Sequence, residues 1–355
     1  MNKFNNPVKF VANRVKRLYT GGSGIDRLRG NPQPTDSNYP EDWIASCVKA
    51  NSRDVPAEHG FSSCELNGKL YSFPTLVKEF GTEILGTAHL AAYGANPGFL
   101  SKLLDSAMRL PLQVHPDRKM AKALFNSSFG KTEAWIVFAT REVNGEKPYI
   151  LLGFNENLDE AVFRQESLIG EYTHGLYMLH KFEVKPGDVY VVHGRMPHAI
   201  GPGVTMVEVM EPTDITINPE RICCDYELPL ERRFARLSPD AALDVFDYTP
   251  RSKAATVGLC CPEVKVLARS EYGILSQRIS RDRFSFFEAQ ELMVDGVWTL
   301  DLSKKSFRVG IMVSGSAKVG TITLNSGDSF FIPYTATECR IEGQCKIVFL
   351  LPPKS

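Results

Sequence analysis

The chain has 355 residues, in which 41 Lys and Arg balance 41 Asp and Glu, and 43% of the residues are hydrophobic. This composition excludes disorder as the main state, which needs low hydrophobicity and high net charge, and it argues against a nucleic-acid binder, whose affinity rests on excess Lys and Arg. No apolar run approaches the roughly 18 residues that span a bilayer, and the length leaves room for two domains of roughly 150 residues each.

The N-terminal stretch is basic but lacks the apolar core of a secretory signal. Apolar spacing predicts a helix over 73–85 that stops at Gly86, and another over 117–125 after Pro116. Short runs rich in Val, Ile, Phe and Tyr predict strands at 134–139 and 149–154. A helix is expected over 157–169, then strands at 189–192 and 204–210. After the polar stretch 218–236, Ser238-Pro239-Asp240 opens a helix over 237–246, with a cap residue followed by proline in the first turn. Strands at 308–313, 329–333 and 346–351 complete the series, which reads as mainly antiparallel β-structure. A weak repeat relates the Gly187-Asp188 turn and its following strand to Gly327-Asp328, 140 residues on. It suggests a first unit over 1–220, a helical connector over 221–250 and a second unit over 251–355.

Eight cysteines include the adjacent pairs Cys223–Cys224 and Cys260–Cys261 but no C-x-x-C spacing. Free buried thiols and a cytoplasmic protein are the expectation. Among seven histidines, two keep unusual company. In Pro111-Leu-Gln113-Val-His115-Pro116, alternation puts Gln113 and His115 on one face of a strand. Gly130-Lys131-Thr132-Glu133 opens the next strand with a lysine and a glutamate. After Gly187-Asp188, the segment from His193 through Arg195 to His198 turns back, bringing His198 inward. Two neutral imidazoles, a carboxylate and a carboxamide oxygen suit zinc with positions left open; the same residues also suit core histidines satisfied by hydrogen bonds.

Taken together, LPLQVHPD, GKTEAW, VKPGDVYVV and PHAIGPG resemble the type I mannose-6-phosphate isomerases in their short bacterial and archaeal form, within the cupin superfamily. Glu41-Asp-Trp43 and Met206-Val-Glu208 through Asp214-Ile-Thr add to the likeness, which runs from about residue 18 to 250. The resemblance implies a mainly β fold of two cupin (jelly-roll barrel) units with helical insertions, the second degenerate and without metal. It implies one zinc ion per chain held by His115, Glu133 and His198, with Gln113 as a further ligand in some members. Lys131 would line the sugar site. The implied reaction interconverts mannose 6-phosphate and fructose 6-phosphate through a cis-enediol, with a base drawn from a metal-bound water, Glu208 or His193. The implied partner is a small sugar phosphate, with no nucleic acid or membrane, acting on a monomer or homodimer.

Three departures shape the expectations. A family arginine aligns with Asn218, and Arg221 is the residue expected to replace its charge. The usual Pro and Gly of the metal hairpin are His193 and Arg195, expected as a sugar or anion subsite; positive φ normally asks for glycine at such a turn. The early R-x-W-G-G segment reads Arg17-Leu-Tyr19-Thr-Gly21-Gly22, so one wall of the site differs, and Trp43 is expected beside the substrate. In the second unit Glu338 stands where His198 would, and no histidine follows residue 198. An isomerase of another sugar or sugar phosphate, or a non-catalytic sugar-binding cupin, remains an alternative.

Overall fold

A computed structural model describes residues 4–303 and 305–354, so the outermost bounds of the two expected units lie outside the described residues. Among the described residues no helix is long and apolar enough to cross a membrane. The first unit is built from a six-stranded antiparallel sheet, ordered Val189–Val192, Glu133–Thr140, Val204–Met210, Leu100–Asp105, Glu41–Ile44 and Arg14–Val15. A three-stranded sheet, His198–Ile200, Tyr149–Phe154 and Leu179–Glu183, faces it. Between them lie Trp135, Tyr190, Val192, Ile150, Leu152, Phe182, Met206 and Ile200, the inward residues of alternating strands.

Alternation also gives the six-stranded sheet a second apolar face. Leu103, Ala134, Ile136, Val189, Val191, Val207 and Val209 point the other way. They pack against Val309, Ile311, Phe331, Val348 and Leu350 of the second unit, with the helix Phe73–Ile84 closing the edge. A sheet apolar on both faces must be covered on both; here one cover is the second unit itself.

That unit is an eight-stranded sheet in which Glu288–Leu300 and Cys339–Leu351, thirteen residues each, pair along their whole length. The edge strand Val8–Lys9 comes from the start of the sequence and pairs with Phe331 and Phe330, so the first unit's expected span contributes a strand to the second. The connector opens with a hairpin, Ile222–Cys223 against Tyr226–Glu227, before the helices Leu230–Arg233 and Pro239–Leu243, the latter capped by Ser238. A further helix, Lys253–Cys260, buries Thr256 and Cys260, and Cys260 joins the core of the first barrel.

Candidate metal centre and the cavity beside it

The register of the six-stranded sheet sets out the site. Trp43 pairs with Lys102, Lys102 with Glu208, Glu208 with Trp135, and Trp135 with Tyr190. These five residues form one row across five strands, on the face turned toward the three-stranded sheet. Two residues along, Glu133 pairs with Met210 and Val192, and the same parity puts its carboxylate on that face. His198 arrives from the opposite sheet. His115 lies on the segment that pairs with His198 and Ile217: Gln113 exchanges bonds of 2.9 and 3.0 Å with His198, and Val114 bridges Ile217. Lys131 is drawn in by its own amide, which donates to Pro116 O at 3.0 Å. Gly130 is required here, since a Cβ would lie 2.7 Å from Pro116 O and from the carbonyl carbon of Asp117.

His115, Glu133 and His198 are each at most 1% exposed, and one ligand atom from each lies within 4.8 Å of the others. Each imidazole donates Nδ1–H to a carbonyl, His115 to Ile215 and His198 to Met196, both at 2.9 Å. That fixes the tautomer and leaves both Nε2 lone pairs aimed inward. They stand 3.3 and 3.2 Å from the two oxygens of Glu133. The bare lone pair of His198 Nε2 repels the carboxylate, and Glu133 Oε1 and His198 Nε2 have no hydrogen-bond donor among the described residues. Such buried orphans cost about 1–3 kcal/mol each, so the donor set fits a divalent cation rather than core histidines satisfied by hydrogen bonds.

Lys131 brings a cation to the group, its Nζ 2.7 Å from His115 Nε2 and 3.1 Å from Glu133 Oε2. Burial, aided by Lys131, pushes His115 down to about 3. Burial alone would raise Glu133, but Lys131 and the imidazoles hold it well below the usual carboxylate range. His115 and Glu133 are therefore deprotonated at neutral pH, as metal binding requires.

Lys131 and Gln113 also line a cavity of about 480 Å³ that opens beside the triad, within the size range of small-molecule pockets. Its inner wall carries alternating charges. Lys102 lies 3.3 Å from Glu41 and 2.9 Å from Glu208, and Arg17 lies 3.3 Å from Glu41 and 3.1 Å from Asp214. Glu41 also accepts from Tyr19 Oη and Trp43 Nε1, each at 2.6 Å. Burial raises each of these carboxyls, yet the paired cations outweigh it for Glu41 and Asp214, which are held low. For Glu208 burial wins and its pKa is raised. Glu208 and Asn218 both line this cavity.

Four expected residues lie elsewhere. Trp43 is buried beneath the wall with Val15, Ala50, Leu100 and Met210, and meets the cavity through Glu41 and through its ring under Lys102 and Arg17. His193 turns toward Leu259 O and the Phe284 ring. Arg195 adopts φ +74°, the strained conformation that glycine would supply. Its guanidinium donates to the carbonyls of Asp244, Val245 and Phe246, and Asp247 N donates back to Arg195 O. This clamp on the connector, rather than a sugar subsite, is what holds the turn. Arg221 is half-buried and paired with Glu171 and Glu227, away from the cavity; after Asn218 buried Arg233 ties down Pro219 O. The cavity is lined instead by Arg17 and Lys102. Neither was singled out from sequence, although Arg17 opens the segment that ends in Gly21-Gly22.

Fold and site together define a mainly β protein with a buried His–Glu–His metal centre beside a charged cavity. No family model matches the chain. It is 28% identical over 258 residues, 71% of its length, to the "Probable mannose-6-phosphate isomerase GmuF" of Bacillus subtilis (strain 168), of which the match covers 74%. The mannose 6-phosphate isomerase structure from Bacillus subtilis superposes with a TM-score of 0.74 at 19% identity, over 97% of this chain and 99% of that one, which shows the fold. A mannose 6-phosphate isomerase bound with zinc and yttrium gives a TM-score of 0.70 at 15% identity, over 98% and 100%. In sequence and in fold the chain is thus a relative of the mannose-6-phosphate isomerases, as its motifs imply.

Proposed function

We propose that this protein is a zinc-dependent aldose–ketose isomerase that interconverts mannose 6-phosphate and fructose 6-phosphate. The observation that carries the reading is the buried, donor-starved His115–Glu133–His198 group, joined through Lys131 to a cavity whose wall holds one raised carboxyl among depressed ones. Relatives named for this activity support it.

Zinc held by His115, Glu133 and His198, with Gln113 as a further ligand, would supply Lewis-acid polarisation of the sugar's carbonyl. Proton transfer between C1 and C2 falls to Glu208. Glu41 and Asp214 are held low by their cations, whereas burial raises the carboxyl of Glu208, which suits it to take and return a proton. His193, the other side-chain base weighed from sequence, is turned away from the cavity. Lys131 holds the oxygen that gains charge in the enediol, and Lys102 keeps Glu208 in place. Lys16, Arg53 and Arg232 line the same cavity with no acidic partner at salt-bridge distance among the described residues, and we assign the phosphoryl group to them. None of the eight cysteines is disulfide-bonded, which suits a reducing, cytoplasmic setting.

The test is direct. Zinc-loaded protein is given mannose 6-phosphate and the appearance of fructose 6-phosphate is followed, with free mannose and other aldose phosphates in parallel. Turnover of mannose 6-phosphate at least tenfold above any other is expected. Metal-loaded protein that turns over only free mannose or another phosphate would overturn the substrate assignment, a possibility raised by Asn218 in place of an arginine. Turnover of none of them would overturn the enzyme reading.

A further inference from the structure

The hairpin that opens the connector carries two thiols in contact. Adjacent residues on a strand point to opposite faces, which normally keeps neighbouring cysteines apart. Here the two-residue turn Cys224–Asp225 has φ +58° and +56°, positions usually given to Asn and Gly. The left-handed Cys224 swings its side chain back, so that its Sγ lies 3.5 Å from Cys223 Sγ. Both thiols also reach Arg109 O, at 3.8 and 3.5 Å. Cys223 is buried at 8% exposure, while Cys224 is half-buried and lines the cavity together with Asp225 and Tyr226. The other adjacent pair behaves differently: Cys260, at a helix end, turns to Met196 Sδ at 3.6 Å. The hairpin pair has no role in the isomerisation.

We propose that Cys223 and Cys224 form a vicinal dithiol site that captures trivalent arsenicals at the wall of the cavity. The chemistry balances without a change of oxidation state. A dihydroxyarsine loses its two hydroxyl groups as two waters, each taking one thiol proton, and two As–S bonds replace two As–O bonds. Sulfur is the soft donor that such a centre prefers over oxygen or nitrogen. Two sulfurs already in contact lose little further freedom when bridged, the advantage of a chelate formed in place. Bridging also suits the backbone better than direct oxidation. Consecutive Cα atoms across a trans peptide are about 3.8 Å apart, below the roughly 4.4 Å at which ordinary disulfides begin, so an inserted atom relieves the geometry that an S–S bond would strain.

The experiment uses the full chain and phenylarsine oxide, read by intact mass and by thiol titration. One adduct per chain is expected, with the loss of two titratable thiols. It should be removed by a dithiol and resist a monothiol at the same concentration. Cys224→Ser, at the half-buried position, should weaken capture at least tenfold, with Cys223→Ser doing the same. A Cys260→Ser/Cys261→Ser variant should capture as the parent does. An adduct that survives in Cys224→Ser, or that disappears with Cys260 and Cys261, would overturn the assignment. These readouts do not involve turnover, so they stand whether or not the isomerase reading holds.

Discussion

The two Gly-Asp turns invite comparison because they are the same turn. Gly187 and Gly327 both have positive φ, at +98° and +81°. Asp188 and Asp328 each accept from the amide three residues back, at 3.0 and 2.9 Å, and each glycine amide donates to a neighbouring strand at 2.8 Å. Following the strands onward, Val192 pairs with Glu133 and its counterpart Ile332 pairs with Arg308. The metal-ligand carboxylate of the first unit is thus an arginine in the second. Across the rest of that face, Lys102 and Glu208 contrast with the second unit's Leu292, Met312, Ile347 and Phe349. Glu338, the counterpart of His198, is exposed. One scaffold serves twice; the inward-facing residues decide whether it holds a charged site or an apolar core.

Four experiments and one control press on that contrast, in descending order of effect. Glu133→Gln or His198→Ala should remove the bound metal and lower turnover by at least about a thousandfold, on the scale of losing a main electrostatic catalyst. Arg308→Glu in the second unit should leave metal content at one per chain. Metal analysis beside kinetics checks both, and a second equivalent of metal would break the distinction. Glu208→Gln should keep the metal and lower kcat by about 100- to 10,000-fold, the range for general acid–base catalysis, with KM little changed.

Acid should separate the units next. In metal-free protein, His115 is held at about 3 against about 6.5 in an unfolded chain. The unfolded state therefore binds more protons between those values, and stability falls as pH drops from about 6.5 toward 3, by at most about 1.4 kcal/mol per pH unit. Depressed Glu41 and Asp214 add to the loss below the unfolded carboxylate range. Amide exchange should then open Glu133–Thr140 and Val204–Met210 before Glu288–Leu300; the reverse order would refute the assignment. Smallest of all, Arg221→Ala should leave kcat within about twofold, because exposed ion pairs contribute little.

Much of the first unit was legible because its strands are short and bounded by turns. Tyr149–Phe154, Val189–Val192 and Val204–Met210 have the bounds their apolar runs predict. The metal triad was legible for another reason: the residue types alone also suit core histidines, but His115, Glu133 and His198 fall in motifs that resemble those of the isomerases. Leu100–Asp105 escaped notice although it carries Lys102, the residue that breaks its apolar run. A lysine inside a strand reads as solvent-facing until the register supplies Glu41 and Glu208 on both sides. Cys339–Leu351 was half seen, because exposed Arg340 and Glu342 alternate with core residues over its first turns of the pleat. Arg195 shows the opposite failure. A polar residue in a motif's glycine position looked functional, and it proved to secure the backbone through distant carbonyls that no local pattern reveals.

The pairing of Val8 with Phe331 has a consequence for how the molecule assembles. More than three hundred residues separate the two partners, so this contact closes an exceptionally long loop, and non-local strand pairing is slow to form. During synthesis the sheet that bears the site can form as soon as Met210 has emerged, while Val8–Lys9 must wait for Ser329–Ile332. Until then the apolar back of that sheet has no partner from the second unit, and the nascent chain exposes a sticky face. Maturation is therefore ordered, with the segment made first docking among the last.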